Sequence, residues 1–269
     1  MADDRKDLAS DFFVEAAERA YVSAQRDAAS AAAPKRFYKQ ANFGPAEGGF
    51  AVFLDGKPVR TPARRPLAPP TAALAAALAD EWAAQGEHIA ASSMPLTRLA
   101  NSALDGVADA MDAVEADVVK YAGSDLICYR AGQPERLVSA QRAVWDGLVE
   151  FARARLGARL TLVEGVMFVE QPPEALAAIG RAVREFVGAG PEAPFRLAAL
   201  HMLTTASGSC IVALAVALGA RTAEEGYEAA SVDETFQLSL WGEDAEARAQ
   251  LERRRTLMQA AARLLTLVA

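Results

Sequence analysis

The sequence predicts an α+β fold, with a small N-terminal unit built on a β-hairpin and a larger, mainly helical C-terminal domain. Three observations carry this expectation. Phe50-Ala-Val-Phe-Leu54 and Pro58-Val-Arg60-Thr61 flank the turn pair Asp55-Gly56, which is the pattern of a hairpin. Pro62, Pro66, Pro69 and Pro70 follow and exclude helix there. From Thr71 the apolar period becomes helical and, two short stretches apart, stays so to the end. Strands followed by helices argue against an alternating parallel α/β sheet.

In chain order, Leu8, Phe12, Ala16 and Ala20 mark a helix over residues 5–30, closed by Pro34, so residues 1–33 form a helical arm. Residues 34–95 form the small α+β domain. In it Arg36-Phe-Tyr-Lys39 alternates like a strand, and Leu74, Leu78 and Trp82, four apart, mark a helix that Gly86 ends. Residues 96–269 form the helical domain. Leu104, Val107, Met111, Val114, Val118 and Tyr121 make one long apolar stripe, with Asp105, Asp109, Asp112, Glu115 and Asp117 on its polar side. Leu137, Gln141, Val144, Trp145, Leu148 and Ala152 mark the next helix. Leu160-Thr-Leu-Val and Val166-Met-Phe-Val169 read as short strands closed by Pro172-Pro173, and Leu176, Ile179, Val183 and Phe186 mark a further helix. No charge falls between Arg196 and Arg221, a length that could span a bilayer. His201, Thr204, Thr205 and the Ser207-Gly208-Ser209 break favour a buried helix pair instead. Thr222-Ala-Glu-Glu225 has the form of a capping box, and Leu251, Met258, Ala261 and Leu265 face inward on the last helix.

The 269 residues are 52% hydrophobic and 23% charged, a globular composition. Thirty-five acids against 28 bases give a net charge of -7, which argues against nucleic-acid binding. Two cysteines, Cys128 and Cys210, make no disulfide framework and point to a reducing compartment. The Met-Ala-Asp-Asp-Arg-Lys-Asp start resembles neither a signal nor a transit peptide, so the expected location is cytoplasmic. The chain contains no His-Glu-x-x-His, Cys-x-x-Cys or Gly-x-Ser-x-Gly pattern, so no metal, cofactor or catalytic residue is assigned. His88 reads as a surface residue and His201 as a satisfied core imidazole. Gly56-Lys57 fails as a phosphate loop, with Ala51 and Pro58 at the positions that need Gly and Ser or Thr. Adjacent acids, such as Asp233 and Glu234, diverge on a helix. Glu234 and Gln237, three apart and one turn before Trp241, share a flank and form a polar, aromatic-backed contact surface.

The most specific stretch is Tyr121-Ala-Gly-Ser-Asp125-Leu-Ile-Cys128-Tyr129-Arg130. With Gln141-Arg-Ala-Val-Trp145 and Glu234-Thr-Phe-Gln237-Leu-Ser-Leu-Trp241-Gly242, it resembles the assembly chaperones of the F-type ATP synthase that hold its free alpha subunit. Phe37-Tyr38-Lys39, the hairpin Leu54-Asp55-Gly56-Lys57-Pro58-Val59 and Glu81-Trp82 fit the same pattern. The resemblance implies a non-enzymatic protein that covers apolar surface of the alpha subunit until the beta subunit joins, without binding ATP itself. It implies a bacterial cytoplasmic member of a family whose eukaryotic members are mitochondrial. The partner-binding candidates are Glu234, Gln237, Trp241, Asp125, Arg130 and Trp82. Tyr121 and Trp145 read as core, and Asp125 either caps a turn or pairs with Arg130. The competing readings are a small-molecule enzyme or binding protein with a site near Tyr121–Arg130, and a membrane-associated protein using residues 197–220.

Overall fold

The structure, a computed structural model, describes residues 34–241 and 245–269, the side chain of Trp241 excepted. The helix expected over residues 5–30 and the arm 1–33 lie outside the described residues. The fold is α+β. The described residues gather into two compact units. One comprises 34–114, 189–198 and 264–269, and the other 115–188, 199–241 and 245–263. Both are discontinuous in sequence.

In the first unit, β1 (Ala41–Ala46), β2 (Gly49–Leu54) and β3 (Lys57–Pro58) form an antiparallel sheet in that order. Ala41 lies opposite Leu54, and Leu54 opposite Lys57. Asp55 and Gly56 both take positive φ, 47° and 80°, as a two-residue hairpin turn requires. Gly49 is needed at the start of β2 because a Cβ there would lie 2.8 Å from the Pro69 carbonyl oxygen, and its φ is 142°. The strand expected at Arg36–Lys39 is irregular chain, and the first strand begins later. Bonds that reach mostly to distant residues take the place of a ladder there. Arg36 donates to the carbonyls of Tyr38 (3.1 Å), Gln85 (2.5 Å) and Lys39 (3.1 Å). The Asp55 carboxylate accepts the N–H groups of Gln40 (2.9 Å) and Lys39 (3.1 Å), which hold its carboxyl below the usual range.

The helix α1 (Ala72–Ala83), capped by Thr71, packs Leu74 and Leu78 with no exposed surface in the unit that holds β1 and β2. Next comes α2 (Pro95–Asp105), which has proline in its first turn and no side-chain cap of its own. Glu81 of α1 supplies one. Its carboxylate accepts the N–H groups of Leu96 and Thr97, both at 2.8 Å, and the Thr97 hydroxyl at 2.7 Å. Glu81→Ala strands these donors at the positive end of α2 and is expected to destabilise the chain by about 2 kcal/mol, read as a lower urea midpoint. An unchanged midpoint would mean that water serves those donors equally well.

The single stripe expected from Leu104 to Tyr121 is broken. After α2 come a 3-10 turn at Val107–Asp109 and α3 (Met111–Ala122). The acids placed on its polar side explain the break. Asp105 accepts the Thr61 hydroxyl (2.6 Å) and the Ala63 N–H (2.9 Å). Asp109 pairs with Arg65, which also takes the Leu104 carbonyl at 2.7 Å and so satisfies an orphan group at the end of α2.

The second unit contains β4 (Tyr129–Arg130), α4 (Glu135–Arg155), β5 (Val163–Glu164) and α5 (Pro173–Val187). The strands β4 and β5 pair in parallel, with Arg130 opposite Glu164. Of the two strands expected near 160–169, only Val163–Glu164 forms; Val166–Val169 is loop. The uncharged stretch folds as α6 (Ala193–Ser207) and α7 (Cys210–Ala217), parted at Gly208 with Ser209 as N-cap, and Cys210–Val216 are all buried. The hydroxyls of Thr204 and Ser207 bond carbonyls one turn back, of Leu200 and Leu203. Among the described residues no helix is long and apolar enough to cross a membrane. Then follow α8 (Ala223–Ala230), opened by the expected Thr222–Glu225 capping box, α9 (Val232–Trp241) and α10 (Ala245–Leu267).

Candidate functional site

The Tyr121–Arg130 segment leaves the end of α3, turns at Asp125 and enters β4. Asp125 has no exposed surface. Its carboxylate accepts the Ser209 hydroxyl at 2.5 Å, the Ile211 N–H at 3.1 Å and the Ile127 N–H at 3.3 Å. It therefore caps both the Leu126–Cys128 turn and the start of α7, and of the two readings open in the sequence it takes the capping one. Burial pushes its carboxyl up to about 6, against the opposing pull of the Ser209 hydroxyl and nearby N–H groups. Cys128 and Cys210 are both buried, and burial followed by the Asp125 charge raises both thiols, Cys128 to about 12. Such thiols stay protonated and inert. Asp125 offers no atom to a partner in this arrangement.

Arg130 turns toward α4. Its Nε donates to the Ile127 carbonyl and its Nη1 to Asp146, both at 2.8 Å, and the guanidinium lies 5.3 Å from the Trp145 ring centroid. Its Nη2 is buried without a hydrogen-bond partner among the described residues. Trp145, fully buried, donates its indole N–H to the Ala229 carbonyl at 2.8 Å. Gln141 accepts the Ala131 N–H (2.8 Å) and donates to Asp233 (2.7 Å). Burial raises the Asp233 carboxyl; the Gln141 bond lowers it and the Glu234 charge adds to the rise. The first two family-like segments thus meet at Arg130 and Trp145, and Asp233, the residue before the third, is joined to them through Gln141.

What faces outward lies on α9. Glu234 is half-buried and paired with Arg254 at 2.9 Å. Gln237 and Leu240 are exposed. The Trp241 side chain lies outside the described residues. Trp82 belongs to the first unit, apart in the chain from the other candidates. Its carbonyl accepts the Tyr38 hydroxyl at 2.7 Å, its ring meets Tyr38 edge-on at 5.8 Å, and its indole N–H is buried without a partner among the described residues.

His88 is exposed, and His201 lies 3.0 Å from Asp117. Among the described residues no cluster of three or more His, Cys, Asp or Glu side chains could hold a metal ion. The feature that sequence reasoning missed is Val166-Met167-Phe168, exposed at 94%, 76% and 73%. The available signal was an apolar run bracketed by Glu164-Gly165 and Glu170, too short to distinguish a strand from a loop.

The ATP12 chaperone protein family matches residues 35–153. Atp12 from Paracoccus denitrificans is 42% identical, with a TM-score of 0.81 over 88% of this chain and 99% of that one. A point mutant of the same protein gives 42% and 0.80, over 88% and 98%. An Agrobacterium tumefaciens protein described as a candidate chaperone is 45% identical, with a TM-score of 0.82 over 88% of this chain and 87% of that one.

Proposed function

Since the chain belongs to the ATP12 chaperone family, we propose that it assists assembly of the F-type ATP synthase by holding the free alpha subunit until the beta subunit joins. The observation that carries this reading is the match to Atp12 along nearly the whole of that protein, with the family match over residues 35–153 covering the Tyr121–Arg130 and Gln141–Trp145 segments. An unassembled ring subunit exposes apolar surface that invites aggregation, and a protein that covers this surface prevents it. The role is non-enzymatic and bacterial cytoplasmic. The Asp125 carboxylate and the Nε and Nη1 of Arg130 support it, because they are engaged by their own chain rather than aimed at a ligand.

Within this proposal Glu234, Gln237 and Trp241 on α9 contact the partner. Asp125 and Arg130 act from behind, by fixing the frame against which α9 is held. Trp82 is a separate candidate contact on the first unit.

The test is size-exclusion chromatography of the protein with separately purified alpha and beta subunits of its own synthase. The expected result is a complex with alpha alone, dissolved by adding beta. No complex with either subunit, at concentrations well above micromolar, overturns the reading. Glu234→Lys is expected to weaken the alpha complex by about tenfold, on the order of 1.4 kcal/mol. Its effect on stability is expected to stay below about 1 kcal/mol, because the Arg254 pair it breaks is half-exposed. A folded E234K protein that binds with parental affinity removes Glu234 from the interface.

A further inference from the structure

We propose that the loop bearing Val166, Met167 and Phe168 is a docking finger that inserts into an apolar cleft rimmed by Lys and Arg on the client protein. This rests on the chaperone reading above, and the client is the alpha subunit. Single exposed apolar side chains are ordinary on a protein surface, but three consecutive ones exposed at 94%, 76% and 73% form a patch of the kind that marks an interaction site. Leu162, on the same loop, is 43% exposed.

The loop is held in shape from its base. The buried Gln171 side chain closes the neck, accepting the Thr161 N–H at 2.8 Å and donating to the Thr161 carbonyl at 2.9 Å. Residues 161 and 171 are thereby clasped into a compact loop with its ends together. Inside the clasp β5 pairs with β4, and the Gly165 N–H donates to the Arg130 carbonyl at 2.9 Å. The finger's inner edge is therefore hydrogen-bonded to the backbone of Arg130, within the most family-specific segment. A tip presented on a fixed base loses little conformational freedom on binding.

Charge selects the occupant. The apolar tip is bracketed by the exposed carboxylates of Glu164 and Glu170, on a chain of net charge -7. Two acids beside an apolar tip repel an anionic bilayer and a second copy of this acidic chain. They complement a cleft with a basic rim, and they speed encounter with it. Methionine at the centre of the tip adapts to an irregular cleft.

The test compares the parent with a variant carrying Val166→Ser, Met167→Ser and Phe168→Ser, titrated against purified alpha subunit by calorimetry. The expected result is a Kd weaker by about a hundredfold with an unchanged thermal midpoint, since the replaced side chains are in water. Glu164→Lys with Glu170→Lys is expected to slow association and flatten its dependence on salt. In Phe168→Trp, the indole emission is expected to shift to the blue when alpha is added. A parent that binds alpha while the serine variant binds equally well overturns the docking finger and leaves the chaperone reading standing. A parent that does not bind alpha overturns both. A dimer seen by sedimentation for the parent and lost in the serine variant assigns the loop to a second copy and overturns the inference. Flotation with phosphatidylethanolamine–phosphatidylglycerol vesicles that requires the intact loop assigns it to a bilayer and does the same.

Discussion

Trp145→Ala is expected to lower the stability of the chain by about 4 kcal/mol, measured as a loss of unfolding free energy in urea. Trp145 is among the largest side chains with no exposed surface. Its indole N–H is bonded to the Ala229 carbonyl, which ties α4 to the end of α8, and the Arg130 guanidinium lies over its ring. Alanine removes all three relations at once. It leaves a cavity, an orphaned carbonyl, and an arginine without its aromatic platform. Trp145→Phe separates these effects, because it keeps an apolar ring while abandoning the carbonyl, at an expected loss of about 1.5 kcal/mol. A domain of this size has a stability of about 5–15 kcal/mol, so the alanine variant is expected to be marginal at 37 °C. If its urea midpoint matches the parent's, the residue is not the anchor that its burial indicates.

The sequence disclosed those elements whose cause is local. The Asp55-Gly56 turn, the Thr222–Glu225 capping box and the apolar face of α4 each depend on residues within a turn or two of one another. The elements misread depend on distant partners. Arg36–Lys39 alternates like a strand, but its polar groups are taken up by Asp55 and Gln85. The stripe from Leu104 to Tyr121 has the period of one helix. It breaks because Asp105 and Asp109 reach back to Thr61, Ala63 and Arg65, some forty residues earlier. The candidate site divides in the same way. Its segments were visible as strings of residues, and the pairing of Glu234 with Gln237 on one flank followed from helical spacing alone. Their convergence was not visible, because the link between Gln141 and Asp233 joins residues 92 apart. The Val166–Phe168 run shows the opposite failure. Its apolar residues look strand-like but are too few to fix a strand, and they lie exposed in the loop whose ends Gln171 joins to Thr161.

Asp125→Ala is expected to cost about 3 kcal/mol at neutral pH, and the pH dependence of Asp125 provides a sharper test. The carboxylate serves the Ser209 hydroxyl and the N–H groups of Ile211 and Ile127, and alanine strands all three donors inside the protein. Burial also raises the folded-state pKa from 3.8 to about 6, so the folded chain binds this proton more tightly than the unfolded chain does. The resulting stabilisation is complete below about pH 4 and is lost as the pH rises through about 6. A shift of about two units corresponds to roughly 3 kcal/mol. Asp125→Asn keeps the side-chain volume but cannot titrate, and the other acids titrate alike in both proteins. The stability of the parent relative to D125N is therefore expected to fall by that amount between about pH 4 and pH 6, and to be level above it. A difference that stays flat across this window and below it would show that the buried carboxyl titrates where an exposed one does, and that its bonds to Ser209, Ile211 and Ile127 offset the loss of water. A difference that rises with pH below about 4 and is level above it would show that those bonds outweigh the loss of water and hold the carboxyl ionised in the interior.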